Sequence, residues 1–256
     1  MPLMRGGRPL KRWRYVGVYD AEVQLCAGIV HVGPLAQCFW AVWDADATRL
    51  RERTRLLRRD AVRIDDARLR VGDADVLVDL ALDPGAPVEV VSPHGSEYIW
   101  TRKQAGVRAR GVVRLGQRER RIDARAVIDE SAGYHARATA WEWSAGVGKS
   151  VDGRSVAWNL VDGIHDGEDA SERTVWLDGV PHEVAPVRFA AGLDAIRWAD
   201  GKALRFEQQA ERRRHDNLLV VRSTYRQPFG RFTGSLPGEI ELAEGWGVME
   251  RHQARW

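Results

Sequence analysis

Two stretches of this chain carry the same features in the same order, and that repeat limits the folds open to it. The first stretch opens on Lys11-Arg12-Trp13-Arg14-Tyr15 and continues to Phe39-Trp40-Ala41-Val42-Trp43-Asp44. It closes on Arg110-Gly111-Val112-Val113, a strand over Ile122 to Val127, and Ile128-Asp129-Glu130-Ser131-Ala132-Gly133-Tyr134-His135. The second opens on Thr139-Ala140-Trp141-Glu142-Trp143 and continues to Val156-Ala157-Trp158-Asn159-Leu160-Val161-Asp162. It closes on Phe229-Gly230-Arg231-Phe232-Thr233-Gly234, a strand over Glu239 to Leu242, and Val248-Met249-Glu250-Arg251-His252. Each half runs from a strand bearing tryptophan to a segment bearing an acid and a histidine. The expected boundary lies near residue 135, giving halves of 1–135 and 136–256.

Within each half, apolar side chains recur with period two. Val76, Val78 and Leu80 alternate with Leu77, Asp79 and Ala81, and Ile122, Ala124, Ala126 and Ile128 alternate with Asp123, Arg125 and Val127. Period two places each set on one face of a pleated strand. Turn residues fall between the runs at Asp83-Pro84-Gly85, Ser92-Pro93-His94-Gly95, Val151-Asp152-Gly153, Asp178-Gly179 and Pro237-Gly238. Many short strands between such turns predict an all-β chain of two antiparallel barrel or sandwich halves. One helix is expected, over Thr48 to Arg59, from the spacing of Leu50, Leu56 and Leu57.

Composition narrows the partners. The net charge is +3, but 36 acids are interspersed among 39 basic residues, and only Lys11, Lys103, Lys149 and Lys202 are lysines. The densest basic runs, Arg51 to Arg59 and Arg212 to Arg214, read as solvated surface, so no nucleic-acid partner is expected. No apolar run is long enough to span a bilayer, and no apolar segment follows the basic N-terminus. A cytoplasmic protein without an integral membrane segment is therefore expected; nothing in the sequence sets an oligomeric state. Cys26 and Cys38 sit in apolar runs and read as buried thiols. The stretch Ser144 to Ser150 ends in Gly-Lys-Ser, but position 143 is tryptophan where a phosphate loop requires glycine. No metal-ligand spacing is present, and no cofactor is expected.

The runs Gly7 to Val16, Phe39 to Trp43, Asp129 to His135, Trp141 to Gly146, Phe229 to Gly234 and Glu250 to Trp256 together resemble a bacterial family of domains of unknown function. That family is allied to the lipocalin-like two-barrel proteins, which include carotenoid 1,2-hydratase and related cyclases. The resemblance implies two lipocalin-like halves. It also implies that Trp13 and Trp141 plug the barrel ends against an arginine such as Arg255.

The candidates for chemistry are Asp129, Glu130, His135, Glu250 and His252. A carboxylic acid facing an apolar cavity is kept protonated by desolvation and can protonate an alkene or carbonyl. Glu250 and His252 lie two apart and share a strand face; Asp129 and Glu130 lie on opposite faces. Trp40, Trp43, Tyr134, Trp143, Trp158 and Asn159 are the candidate cavity wall. The loop Gly163 to Asp169, with His165, reads as solvent-exposed. The expected function is binding of a small hydrophobic molecule in a barrel or inter-barrel pocket. Its enzymatic form is cofactor-free hydration, cyclisation or isomerisation; a non-catalytic carrier and a filled-barrel scaffold are the alternatives.

Overall fold

A computed structural model describes residues 1–57, 60–167, 170–218 and 221–255. A two-residue ribbon of β1 (Met4–Arg5) and β2 (Arg8–Pro9) precedes two large antiparallel sheets. The first sheet contains β3 (Lys11–Tyr19), β4 (Val23–Val32), β5 (Leu35–Asp44), β6 (Arg49–Leu56), β7 (Val62–Ile64), β8 (Arg68–Asp73), β9 (Val76–Asp83), β10 (Val88–His94), β11 (Glu97–Leu115) and β12 (Arg118–Gly133). The second contains β13 (Ala138–Ser150), β14 (Ser155–Asp162), β15 (Thr174–Leu177), β16 (Val180–Glu183), β17 (Val187–Phe189), β18 (Ala195–Trp198), β19 (Ala203–Leu218), β20 (Val221–Leu236) and β21 (Ile240–Arg255). Among the described residues no helix is long and apolar enough to cross a membrane.

The repeat seen in the sequence is a repeat of topology. The first sheet runs β6-β5-β4-β3-β12-β11-β9-β8-β7, and the second runs β16-β15-β14-β13-β21-β20-β19-β18-β17. In each, a four-strand meander pairs its opening strand with the last strand of the half. The first sheet adds only β10, paired to β11. Each sheet curls, bringing β7 back toward β4 and β5, and β17 back toward β14.

Alternation on these strands builds three apolar cores. Val16, Val18, Leu25, Trp40, Leu69, Leu80 and Ile128 fill the first curled sheet. Trp158, Leu160, Ile196, Phe206, Phe232 and Met249 fill the second. The opposite faces of the same strands form a third core between the halves, where Tyr15, Tyr19, Ile99 and Val127 meet Trp143, Ala145, Trp176, Phe229 and Val248. A strand apolar on both faces is a strand buried on both faces. Gly17 lies between Tyr15 and Tyr19 on this inner face; a Cβ there would fall 2.1 Å from the Tyr19 hydroxyl. Its absence lets the two phenols meet at 3.0 Å.

The helix expected over Thr48 to Arg59 is strand β6 as far as Leu56, paired with β5 from Gln37↔Leu56 to Asp44↔Arg49; Arg58 and Arg59 lie outside the described residues. Pairing with the edge of the meander outweighs the local leucine spacing. Period two then sends Arg53 and Arg55 to Asp73, which also accepts from Trp40 Nε1 at 3.1 Å. Trp40, in the core of the first curled sheet, thus meets arginines through Asp73, whereas Trp13 and Trp141 donate to Asp129 and Glu250.

Candidate functional site

A cavity of about 590 Å³ opens between the halves. Its inner wall is made by the opening and closing strands: Lys11, Trp13 and Tyr15 on β3, Asp129 on β12, Trp141 and Trp143 on β13, and Glu250 and His252 on β21. Leu35, Leu56 and Leu57, all at least half exposed, form an apolar rim.

The matched topology places two acids in matched positions. Asp129 stands opposite Tyr15 in register, and Glu250 stands opposite Trp143. Trp13 donates its indole N–H to Asp129 Oδ2 at 2.9 Å, and Trp141 donates to Glu250 Oε1 at 2.9 Å. The two indoles stack on each other, 6.4 Å between centroids and 13° from parallel.

The surroundings of the two acids differ. Asp129 Oδ1 accepts from the Lys103 ammonium, which also lies 3.3 Å from Glu172 Oε2. Burial works to lower the Lys103 pKa, but Asp129 and Glu172 outweigh it and the net shift is upward. Burial raises the Glu172 carboxyl. Glu250 instead has three neutral donors: Trp141, the Tyr225 hydroxyl at 3.0 Å and Gln227 Nε2 at 3.0 Å. Desolvation pushes its pKa up to about 7 against the opposing hydrogen bonds. The Gln227 amide is oriented from the other half, because Cys26 Sγ donates to its Oε1 at 3.4 Å. Both cysteines are free and buried.

The histidines around this centre are held neutral. His252 and Trp141 meet at right angles with 4.3 Å between ring centroids, and His252 Nε2 lies 2.9 Å from Ser223 Oγ. His135 packs behind Trp13, 5.4 Å between ring centroids, off the cavity wall, with neither nitrogen hydrogen-bonded. His165, expected in solvent, is buried and lines the cavity with both nitrogens also unpartnered; Glu168 and Asp169 of its loop lie outside the described residues. Burial lowers His252 and His165 to about 3 and takes His135 well below its ordinary 6.5.

These shifts set an acid sensitivity. Below pH 6.5 the unfolded chain protonates the three histidines while the folded chain keeps them neutral, so acid favours unfolding. Glu250 acts in the opposite sense between 4.5 and about 7, since the folded chain holds its proton and the unfolded chain releases it. Burial raises the Glu172 carboxyl in the same sense as Glu250, and the remaining excess of protons on the unfolded chain implies a stability loss of about 1–2 kcal/mol per pH unit around pH 5.5. Urea titrations across that window measure it directly; a flat profile would mean that the histidines titrate normally in the fold.

The structure thus gathers Asp129, Glu250, His252 and Trp143 at one cavity. Glu130 lies on the other strand face, in ion pairs with Arg14 and Arg102, both at 3.3 Å. Trp40 and Trp158 fill the curled sheets, Trp158 donating to Ser144 Oγ at 3.1 Å. Trp43 is buried away from the wall, and the Tyr134 hydroxyl donates to Pro2 O at 2.8 Å. Asn159 stands behind the wall. Its Oδ1 accepts from Trp143 Nε1 at 2.8 Å, and its Nδ2 donates to the Glu172 carbonyl at 2.8 Å. Sequence reasoning missed Lys11, Lys103, Glu172, Tyr225 and Gln227. For the lysines a signal existed: four of 39 basic residues are lysines, and two of the four line this cavity.

Comparison with known proteins follows the same lines. The profile of a family described as a domain of unknown function, DUF2804, matches residues 51–256. The chain belongs to that family. Among solved structures, a Nitrosomonas europaea protein assigned as an AttH superposes with a TM-score of 0.61 at 12% identity, covering 97% of this chain and 93% of that one. Kievitone hydratase from Nectria haematococca superposes with a TM-score of 0.58 at 10% identity, covering 94% and 88%. At these identities the likeness is one of fold, the two-barrel lipocalin-like plan. No curated protein sequence matches the chain.

Proposed function

We propose that this protein binds a small, mainly apolar molecule between its halves and performs cofactor-free acid catalysis on it, as a hydratase, cyclase or isomerase does. The observation that carries this reading is Glu250, a buried carboxyl on the cavity wall whose pKa lies near 7. Such an acid is protonated often enough at neutral pH to donate, and its anion is then received by three donors already aimed at it. The donors strengthen their bonds as charge develops on the carboxylate, which favours the transition state over the resting acid. Burial keeps the Tyr225 phenol far above neutrality, so it remains a donor throughout.

Asp129 faces the same space from the other half. Its pairing with Lys103 and Trp13 gives the site a fixed negative group across from the acid. A carbocation or iminium-like charge forming between the stacked indoles and the carboxylates would be stabilised there. His252, neutral and tied to Ser223, orients the Trp141 ring. A cavity of about 590 Å³ falls in the range of small-molecule sites. Three buried acids on its wall, Asp129, Glu172 and Glu250, favour an enzyme over a carrier, and the apolar packing of both curled sheets favours an inter-barrel site. A hydratase on the same fold supports the reaction class by analogy of architecture alone.

The test is native mass spectrometry of protein purified from its own host, followed by organic extraction. The expected result is a stoichiometric apolar compound bearing an alkene or carbonyl. A bound compound that is fully saturated and carbonyl-free would remove the acid-catalysis reading and leave a carrier.

A further inference from the structure

Lys11 occupies the same cavity in a setting that the acid chemistry of Glu250 does not use. Its side chain is 8% exposed, and its Nζ lies 5.5 Å from the Trp13 ring centre and 5.4 Å from that of Trp141. The amine therefore reaches over both members of the stacked pair, on a wall shared with Tyr15, Phe39 and Trp143. Two cation–π contacts hold the nitrogen over the indole faces. Lys103 is committed to Asp129 and Glu172. Lys149 and Lys202 lie elsewhere, Lys149 exposed and Lys202 paired with Asp200 at 3.1 Å.

We propose that Lys11 is an amine nucleophile and that the cavity takes an apolar aldehyde or ketone, capturing it as an imine. The reading goes beyond acid catalysis but relies on the same cavity for access. The nitrogen lone pair of neutral Lys11 attacks the carbonyl carbon. A C–N bond forms, and the C=O π pair moves to oxygen, which takes a proton from Glu250. The nitrogen returns a proton to the Glu250 carboxylate, giving a neutral carbinolamine. Glu250 protonates its hydroxyl a second time, water leaves, and the nitrogen lone pair closes the C=N bond. One carbonyl and one amine thus give one imine and one water. The protonated imine is again a cation over two indoles, so the aromatic contacts of the free ammonium carry over to the product.

Supporting this chemistry, burial lowers the Lys11 pKa to about 8 although Glu250 raises it. About a quarter of the amine is then neutral at pH 7.5, against about one part in a thousand at an ordinary 10.5. Amines desolvated in this way are the ones that form Schiff bases. The sequence offers Arg at most basic positions and Lys here, and a guanidinium cannot do this chemistry.

The experiment is reductive trapping. The full-length protein is incubated at pH 7.5 with 3-phenylpropanal and sodium cyanoborohydride, and labelled lysines are located by peptide mass mapping. Binding of the aldehyde is read separately as quenching of tryptophan fluorescence. The expected result is labelling of Lys11 at least about ten-fold faster than of Lys149, Lys202 or the N-terminal amine. Lys11→Arg and Lys11→Met should both abolish the fast label, and Glu250→Gln should slow it about ten-fold without moving it. Quenching without preferential labelling of Lys11 would overturn the imine proposal and leave the ligand cavity intact. Absence of both would overturn the proposal together with the cavity reading on which it relies.

Discussion

Lys103→Met is expected to destabilise the fold by about 3–5 kcal/mol at pH 7.5, because it strands two buried carboxylates at once. Lys103 and Glu172 are each 2% exposed and Asp129 is 8% exposed, so little water is available to replace the ammonium. The pair is not a surface ion pair, for which a figure below about 1 kcal/mol would apply. Burial already raises the Glu172 carboxyl with the lysine present; without it, Glu172 takes up a proton and Asp129 retains the Trp13 indole as a donor but loses the ammonium. The double variant Lys103→Met, Glu172→Gln removes the carboxyl that must otherwise be protonated in the fold and should recover about 1–3 kcal/mol of that loss. Urea unfolding of the two variants and of Glu172→Gln alone closes the cycle. A loss under about 1 kcal/mol for Lys103→Met would mean that these groups are not ionised in the fold. Because Asp129 also anchors Trp13, the variant should loosen the stacked indoles and weaken ligand binding.

This cluster also marks where sequence reading stopped. Alternation exposed the strands, and the repeat exposed their order, because both are properties of neighbouring residues or of one fixed offset. The repeat further carried Trp13 with Trp141, and Asp129 with Glu250, into matched places, so half of the centre was legible in the sequence. Lys103 and Glu172 were not. Lys103 is on β11 and Glu172 lies just before β15, in different halves. Their pairing exists only because the outer faces of two curled sheets pack together. Nothing local announces which strand face will be an outer one. The same gap explains Trp40 and Trp158, which fill the curled sheets while Trp143 lines the cavity: all are tryptophans on apolar strands, and the facing decides. The helix expected through Leu50, Leu56 and Leu57 failed for a related reason. Leu50 is an inter-half contact of a strand, and Leu56 at its end and Leu57 just beyond it form the cavity rim, a demand set by tertiary structure.

Glu250→Gln is expected to cut turnover at least about 100-fold while binding of the extracted ligand changes only a few-fold. The amide keeps the size of the acid and loses only its proton. The pH profile of the wild type should follow from the same group: kcat/KM falls about ten-fold per pH unit above about pH 7, as Glu250 ionises. Stability should fall over the same pH range. A carboxyl whose folded pKa is about 7 and whose ordinary value is 4.5 favours the fold fully below 4.5 and loses that contribution as pH rises through 7. The charged form thus costs about 3 kcal/mol at pH 8. Glutamine escapes that cost. Its amide nitrogen can turn to the Tyr225 oxygen, but one of the three donors to Glu250 then loses its acceptor, at about 1 kcal/mol. The variant should therefore be more stable than the wild type by about 2 kcal/mol at pH 8, with the advantage gone by pH 5. Glu130→Gln is the matched control, since Glu130 pairs with Arg14 and Arg102 away from the cavity and its loss should leave turnover within about two-fold. A structural carboxyl would give the reverse pattern, with lower stability and turnover lost only in proportion. If Glu250→Gln is inactive and also less stable at pH 8, Glu250 is a packing element. If it is inactive and more stable, the protein holds a buried acid that weakens its fold, as expected of a group kept for its proton.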